Sequence, residues 1–439
     1  MFHMEIVLGW YDVLGQNFDN PYIFPFLERE NSTSVCCSLE NMETLEEQEQ
    51  EQSTTTIVER STKKTNMSLP SEIIEDIFSR LPVKSILRFR TLSKPWLSRI
   101  SDRSFTNLHL TRAHRTALFI LAHDESGKRH LLSAPRDGGP VTHLITFHNP
   151  DYIVMYAQHV NGLVYLTCMK RSNEHRTHVY AFVVNPSMHK IFKLPDPYTD
   201  VKDFTRIRYL FGFDESRNEH KILMIRDSSL RSMEIMIFSM SSYSWRKIHA
   251  EPPLGFTWDG LWLNFYHNVC VNSVVHIMLA VSFDILAFDL RTEKFLIITT
   301  PQGVLPEDYD DTKQNDPYII KLNGCIGVVC YDSVAENNEM YIWILQDYEN
   351  RVWVKETVIF PEEWITLRYP LSFPVDSVNM DEIIFIPSNF SGNVISVPVY
   401  NKKTRCFKSL RFASGNHFSL SRTLQFHYIR CYVESMVPL

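Results

Sequence analysis

Cysteine, histidine and paired carboxylates are the side chains of this sequence with spacing that could do chemistry. Cys325 and Cys330 bracket a strand-like apolar run at an odd separation. In a regular strand they point to opposite faces and cannot share a metal. The other cysteines, Cys36, Cys37, Cys168, Cys270, Cys406 and Cys431, are scattered. His175 and His178 fall in the polar stretch Arg171–His178 with no cysteine nearby, so zinc is disfavoured there. Asp310-Asp311 and Glu362-Glu363 read as solvated loop charges rather than a working acid–base pair. Walker A, Gly-x-Ser-x-Gly, His-Glu-x-x-His and Gly-x-Gly-x-x-Gly motifs are all absent. On these residues an enzyme reading is weak, and no catalytic residue, metal or cofactor is expected from them.

Basic residues cluster in one place: Arg80, Lys84, Arg88, Arg90, Lys94, Arg99 and Arg103, against the acids Glu72, Glu75, Asp76 and Asp102. Across the whole chain of 439 residues the net charge is −7, which gives no general pull on nucleic acid or on an anionic membrane. A solvated face, or a match to an acidic partner, fits the cluster better than a nucleic-acid patch. No apolar run approaches the roughly 18 residues of a membrane span. The longest candidate, Val274–Phe288, carries His276, Ser282 and Asp284. Met1–Tyr11 has an early Glu5 and no basic n-region, a poor signal peptide. Reduced thiols in the cytoplasm or nucleus are the corresponding expectation.

The basic cluster belongs to a helical unit over 67–105. Leu69, Ile73, Ile77 and Leu81 recur every fourth residue, widened by Ile74 and Phe78. Pro82 stops that helix and can begin a second with Val83, Ile86 and Leu87 inside. Ser93 can cap a third, with Pro95 in its first turn and Trp96, Leu97 and Ile100 as its apolar side. Some 40 residues is marginal for an independent core, so this unit wants a partner, whether another protein or the following domain.

The remainder, 111–439, reads as strands with a repeat. Five times an apolar run, a polar turn and an aromatic opening a second strand follow one another. The anchors are Phe192, Trp245, Phe295, Trp353 and Phe407, spaced 53, 50, 58 and 54 residues apart. A fainter copy runs from Ala117–Leu121 to His130-Leu131-Leu132. A period near 50 built of hairpins is the kelch-like range, because a small sheet with two apolar faces must stack on its neighbours. With only 14 glycines in the chain the repeat is degenerate, and about six blades are expected. The leftover strand Leu424–Val433 is expected to pair with residues from 115–135 and close the ring. Residues 1–66 differ again: 12 acids, 4 bases and the run Glu46–Gln52 predict a mostly disordered acidic segment.

The stretch Leu69–Arg90, with its Leu-Pro start, Arg-Leu-Pro-Val-Lys-Ser joint and Arg-Phe-Arg, followed by Ser93-Lys94-Pro95-Trp96, strongly resembles an F-box. Thr91-Leu92 stands where that family usually has Cys-Val. Downstream, Val160-Asn161-Gly162-Leu163, Val184-Asn185-Pro186-Ser187, Phe211-Gly212-Phe213-Asp214, Trp245-Arg246, Phe288–Phe295 and Glu434-Ser435-Met436-Val437 resemble the F-box-associated domain of plant-type F-box proteins. Ser273 replaces a usual hairpin glycine, and Met188-His189 a usual Thr-Arg.

The resemblance implies a multidomain protein: an acidic segment at 1–66, a three-helix F-box at 67–110 and an all-β, propeller-like domain at 111–439. It implies the substrate-recognition subunit of an SCF-type ubiquitin ligase, docking a Skp-type adaptor and, through it, a cullin–RING ligase. The adaptor-binding residues it implies are Leu69, Pro70, Ile73, Ile77, Leu81, Pro82, Leu87 and Trp96, some of them internal core. Neither nucleic acid nor membrane is an expected partner, and the protein substrate is not legible. Two alternatives stay open at this point: an F-box protein working with the adaptor outside a ubiquitin ligase, and a propeller enzyme or lectin carrying an F-box.

Overall fold

The computed structural model describes residues 70–91, 93–112, 117–124, 128–147, 152–171, 177–197, 206–228, 232–251, 253, 268–279, 282–304, 316–330, 338–361, 373–379, 381–386, 394–413 and 424–439. The acidic segment 1–66, Leu69 and Leu92 lie outside them.

Four short helices come first: α1 (Ser71–Phe78), α2 (Val83–Phe89), α3 (Lys94–Ile100) and α4 (Arg103–Arg112). Pro82 separates the first two, since its ring forbids continuation of α1. Ser93 caps α3, accepting from the Trp96 amide at 3.5 Å. The fourth helix adds to the three expected. Asp102 Oδ1 accepts from the Ser104 amide at 2.7 Å to start it, and Phe105, Thr106 and His109 form its buried side. His109 Nε2 hydrogen-bonds the Leu81 carbonyl at 3.0 Å, and Arg112 reaches Asp76 at 2.5 Å, tying α4 back to α1.

The β region opens with β1 (Ala117–Asp124), β2 (Arg129–Pro135), β3 (Gly139–Pro140) and β4 (Thr142–Phe147). Five sheets follow in chain order. Blade 2 holds β5 (Tyr152–Val160), β6 (Leu163–Arg171), β7 (Thr177–Asn185) and β8 (Lys190–Lys193). Blade 3 holds β9 (Arg206–Asp214), β10 (Glu219–Ser228), β11 (Ser232–Ser239) and β12 (Ser244–Ile248). Blade 4 holds β13 (Asn268–Val271), β14 (Val274–Met278), β15 (Ile285–Asp289) and β16 (Lys294–Ile298). Blade 5 holds β17 (Tyr318–Leu322), β18 (Cys325–Cys330), β19 (Glu339–Asp347) and β20 (Val352–Ile359). Blade 6 holds β21 (Phe373–Asn379), β22 (Glu382–Ile386), β23 (Val394–Asn401) and β24 (Cys406–Ala413).

The last strand, β25 (Leu424–Tyr432), returns to pair antiparallel with β1, from Ala117↔Tyr432 to Asp124↔Leu424, and so makes blade 1 with β2 and β4. The expected closure is thus present. A second clasp adds to it: β3 pairs in parallel with β24, Phe412↔Gly139 and Ala413↔Pro140. The strands β5, β9, β13, β17, β21 and β25 touch one another in cyclic order, the inner ring of a six-bladed propeller.

Burial follows position in the blade. Second strands lie between neighbouring blades and are buried on both faces, as in Lys221–Ile225 of β10 and Val274–Met278 of β14. Outer strands face water on one side and each of β8, β12, β16, β20 and β24 carries exposed lysine: Lys190, Lys193, Lys247, Lys294, Lys355 and Lys408. Edge lysine opposes pairing with another chain. The aromatic anchors cover the sheets from outside: Trp245 meets Phe238 at 5.2 Å, Phe295 meets Phe288 at 4.7 Å, and Phe407 meets Tyr400 at 5.0 Å.

In blades 2 to 6 the third-to-fourth-strand turn ends on a non-glycine residue of positive φ placed just before the outer strand: His189, Tyr243, Glu293, Arg351 and Arg405, at φ 50 to 58. Side-chain acceptors at the start of the turn hold four of them. Asn185 accepts from the Met188 amide at 3.2 Å, Asp289 from Arg291 at 2.8 Å, Asp347 from Asn350 at 3.0 Å and Asn401 from Thr404 at 3.0 Å. Ser273 keeps its turn without glycine. It adopts φ 64 and its buried hydroxyl accepts from the Glu215 amide at 2.9 Å.

Candidate functional site

The chemistry-bearing residues are not brought together. Cys330 is buried and Cys325 partly so, at the two ends of β18. Burial pushes the Cys168 thiol up to about 12, and burial also raises Cys270, so neither is a thiolate nucleophile. His178 lies in β7 rather than in a loop, while His175, Asp310, Asp311, Glu362 and Glu363 fall outside the described residues. Among the described residues no three His, Cys, Asp or Glu side chains cluster to hold a metal, and no helix is long and apolar enough to cross a membrane.

What the helices build instead is a face. Val83, Ile86, Ile100 and Phe105 form a small core with Phe78, Leu81, Leu87, Phe89 and Trp96 packed around it. Phe78 stacks on Phe89 at 4.7 Å and meets Trp96 edge-on at 5.0 Å. Leu81, Leu87 and Trp96 of the expected set therefore spend part of their surface inside. Pro70 and Pro82 are exposed, and Ile73 and Ile77, one turn apart on α1, are 49% and 44% exposed. Leu69 lies outside the described residues.

Leu97, read from sequence as inward, is 43% exposed. Trp96 and Ile100 are four apart and share the inner side, which turns their neighbour Leu97 outward. Leu97 thus adds an exposed apolar side chain to the outer surface of α3.

Charges frame this face. Arg80 pairs with Asp76 at 3.1 Å and Arg99 with Glu75 at 3.7 Å. The Arg80 hydrogen bond holds the Asp76 carboxyl below the usual carboxylate range. Arg90 donates to Ser101 at 3.0 Å, and Lys84, Arg88 and Lys94 stay exposed.

The helices rest on one side of the propeller. Arg103 donates to the Arg217 and Asn218 carbonyls of the β9–β10 turn, at 3.0 and 2.9 Å. Met188, in the short 3-10 turn Pro186–Met188 between β7 and β8, packs against the helical core. Both contacts are with first-to-second or third-to-fourth-strand turns. In antiparallel blades these turns share one face, and the other connections emerge on the opposite one.

A small helical unit with an exposed apolar face, carried on the turn side of a closed propeller, defines a binding adaptor. The sequence pattern of the F-box domain matches residues 67–108, and that of the F-box associated beta propeller domain matches 116–433. The chain belongs to this family of F-box proteins with an F-box-associated propeller. It is 26% identical to F-box protein At5g65850 of Arabidopsis thaliana over 311 residues, covering 68% of this chain and 73% of that one. F-box protein At1g47340 of the same plant is 28% identical over 331 residues, covering 69% and 66%. Among solved structures it is similar to the β-propeller domain of the trilobed protease from Pyrococcus furiosus, with TM-score 0.30, 13% identity and coverage of 59% and 71%. F-box proteins are in general non-catalytic adaptors, and the F-box implies a Skp-type adaptor as partner.

Proposed function

We propose that the chain is the substrate-recognition subunit of an SCF-type ubiquitin ligase, working in cytoplasm or nucleus. Residues 67–110 dock the Skp-type adaptor, and through it the cullin–RING ligase. Residues 111–439 hold a protein substrate. The observation that carries this reading is the outward pair Ile73 and Ile77 on a helix inside the matched F-box. Pro82 and Leu97 are further exposed apolar residues of the helical region.

The described helices touch only the turn side of the propeller, which leaves the side where the outer strands end, as β12 does at Ile248 and β20 at Ile359, as the side proposed to receive the substrate. Catalysis is then a matter of proximity: substrate lysines are held at high effective concentration near a charged enzyme, with no bond made or broken by this chain.

The test is co-purification of a Skp-type adaptor with full-length protein carrying Ile73→Ala and Ile77→Ala. Both side chains face solvent, so folding should persist. Loss of two interface anchors at about 2 kcal/mol each should abolish recovery of the complex. Undiminished recovery would overturn the assignment.

A further inference from the structure

We propose that the segment after the closing strand, Val433–Val437, is a working part of the F-box, so that the F-box reaches its adaptor-competent form only once the propeller ring has closed. The adaptor half of this statement rests on the function proposed above. The structural half does not.

Three contacts carry it. Helix α2 has Pro82 at its N-cap and no side-chain cap of its own. The first free amide, Val83 N–H, donates instead to Glu434 Oε2 at 2.6 Å, across 351 positions of sequence. Met436, 5% exposed, fills the helical core beside Val83, Ile86, Ile100 and Phe105. Ser435 between them is fully buried and fastened to blade 2. Its amide donates to Ser187 Oγ at 3.1 Å, and Asn185 Nδ2 donates to the Ser435 and Val437 carbonyls at 3.0 and 2.8 Å.

The register of closure explains why the tail arrives there. Ala117 lies opposite Tyr432, so the chain upstream of β1 and the chain downstream of β25 leave the ring side by side. The F-box precedes the one and the tail follows the other. A helical unit this small is marginal by itself, and its core lacks a methionine and its second helix a cap until β25 is in place. During synthesis the helices emerge before the propeller strands and Met436 after them.

The experiment uses the full chain with Met436→Asp, Glu434→Ala and the conservative Met436→Leu. Amide exchange is followed in α2 and α3, with strands of blades 3 to 5 as internal control. Affinity for the Skp-type adaptor is measured in parallel. Met436→Asp should deprotect α2 and α3 at least ten-fold, leave blades 3 to 5 unchanged and weaken adaptor binding at least ten-fold. Glu434→Ala, the milder change should Met436→Asp fail to fold, should deprotect the start of α2, and Met436→Leu should behave as wild type. Unchanged protection of α2 and α3 in both disruptive variants overturns the proposal. So does unchanged adaptor affinity when those helices are deprotected. If the wild-type chain binds no adaptor, the proposed function fails, while the exchange result still decides whether the tail completes the helical fold.

Discussion

Lys221 and Asp214 form an ion pair at 2.6 Å inside blade 3, with side chains 1% and 0% exposed. Lys221 also donates to the Leu290 carbonyl of blade 4 at 3.0 Å, and Asp214 Oδ1 accepts from the Ser216 amide at 3.0 Å. Burial pushes the Asp214 carboxyl up, but Lys221 and the turn donors outweigh it and hold the group below the usual range. Removing one member leaves a buried charge alone. Lys221→Met should therefore cost about 3–5 kcal/mol, measured as a lower midpoint in urea. An unchanged midpoint would show that the pair is not needed.

Acid should destabilise the propeller through two histidines. His220, between Phe211 and Phe213 with Nε2 donating to the Val160 carbonyl, is lowered by burial to about 4. Burial lowers His276 to about 3. In the unfolded chain both take a proton near the ordinary 6.5 of histidine. The unfolded state thus binds more protons below that pH, and stability falls as pH drops from 6.5 toward the folded values. His220 alone weighs about 3 kcal/mol over that window. Denaturation curves between about pH 7 and about pH 5 should show the decline, and His220→Gln should flatten it.

Two turn glycines offer a controlled comparison. Gly162 and Gly324 both follow an asparagine in positive φ, at φ 82 and 81. A Cβ on Gly162 would lie 2.1 Å from the Ser435 Cβ, whereas one on Gly324 meets nothing within 4 Å. Gly324→Ala should cost only the backbone strain, about 1 kcal/mol. Gly162→Ala should cost on the order of 3 kcal/mol and displace the tail, because overpacking adds to strain. Equal melting temperatures for the two variants would contradict this.

Closure should be needed for solubility. Ile429 of β25 is fully buried, and Ile429→Ala should cost about 2–5 kcal/mol. Truncation after Leu420 removes the strand altogether and bares β1 as an edge. Light scattering should report association of the truncated chain at concentrations where the full chain stays monodisperse.

The repeat was readable in five blades because the third and fourth strands form a hairpin with a fixed turn and an aromatic anchor. The sixth copy, Ala117–Leu132, reads faintly for a physical reason. It is the second and third strands of blade 1, out of phase with the rest, since the chain's end supplies the first strand. Ser273 hides a positive-φ turn that glycine would have announced. In the F-box, periodicity finds the apolar residues but not which side a partner covers. Ile73 faces out while Trp96 faces in. The role of Met436 was not legible at all, because nothing local marks a contact with residues 331 or more positions away, such as Phe105.

The meeting of Ala117 and Tyr432 at one end of the β1–β25 seam has a mechanical consequence. A pull on the helices enters the ring there and would peel the two strands apart pair by pair, the geometry of least resistance. Glu434 and Met436 bind the far side of the same seam to the same helices. Traction on the F-box therefore draws both strands in one direction, and the seam is loaded as a unit instead of being opened.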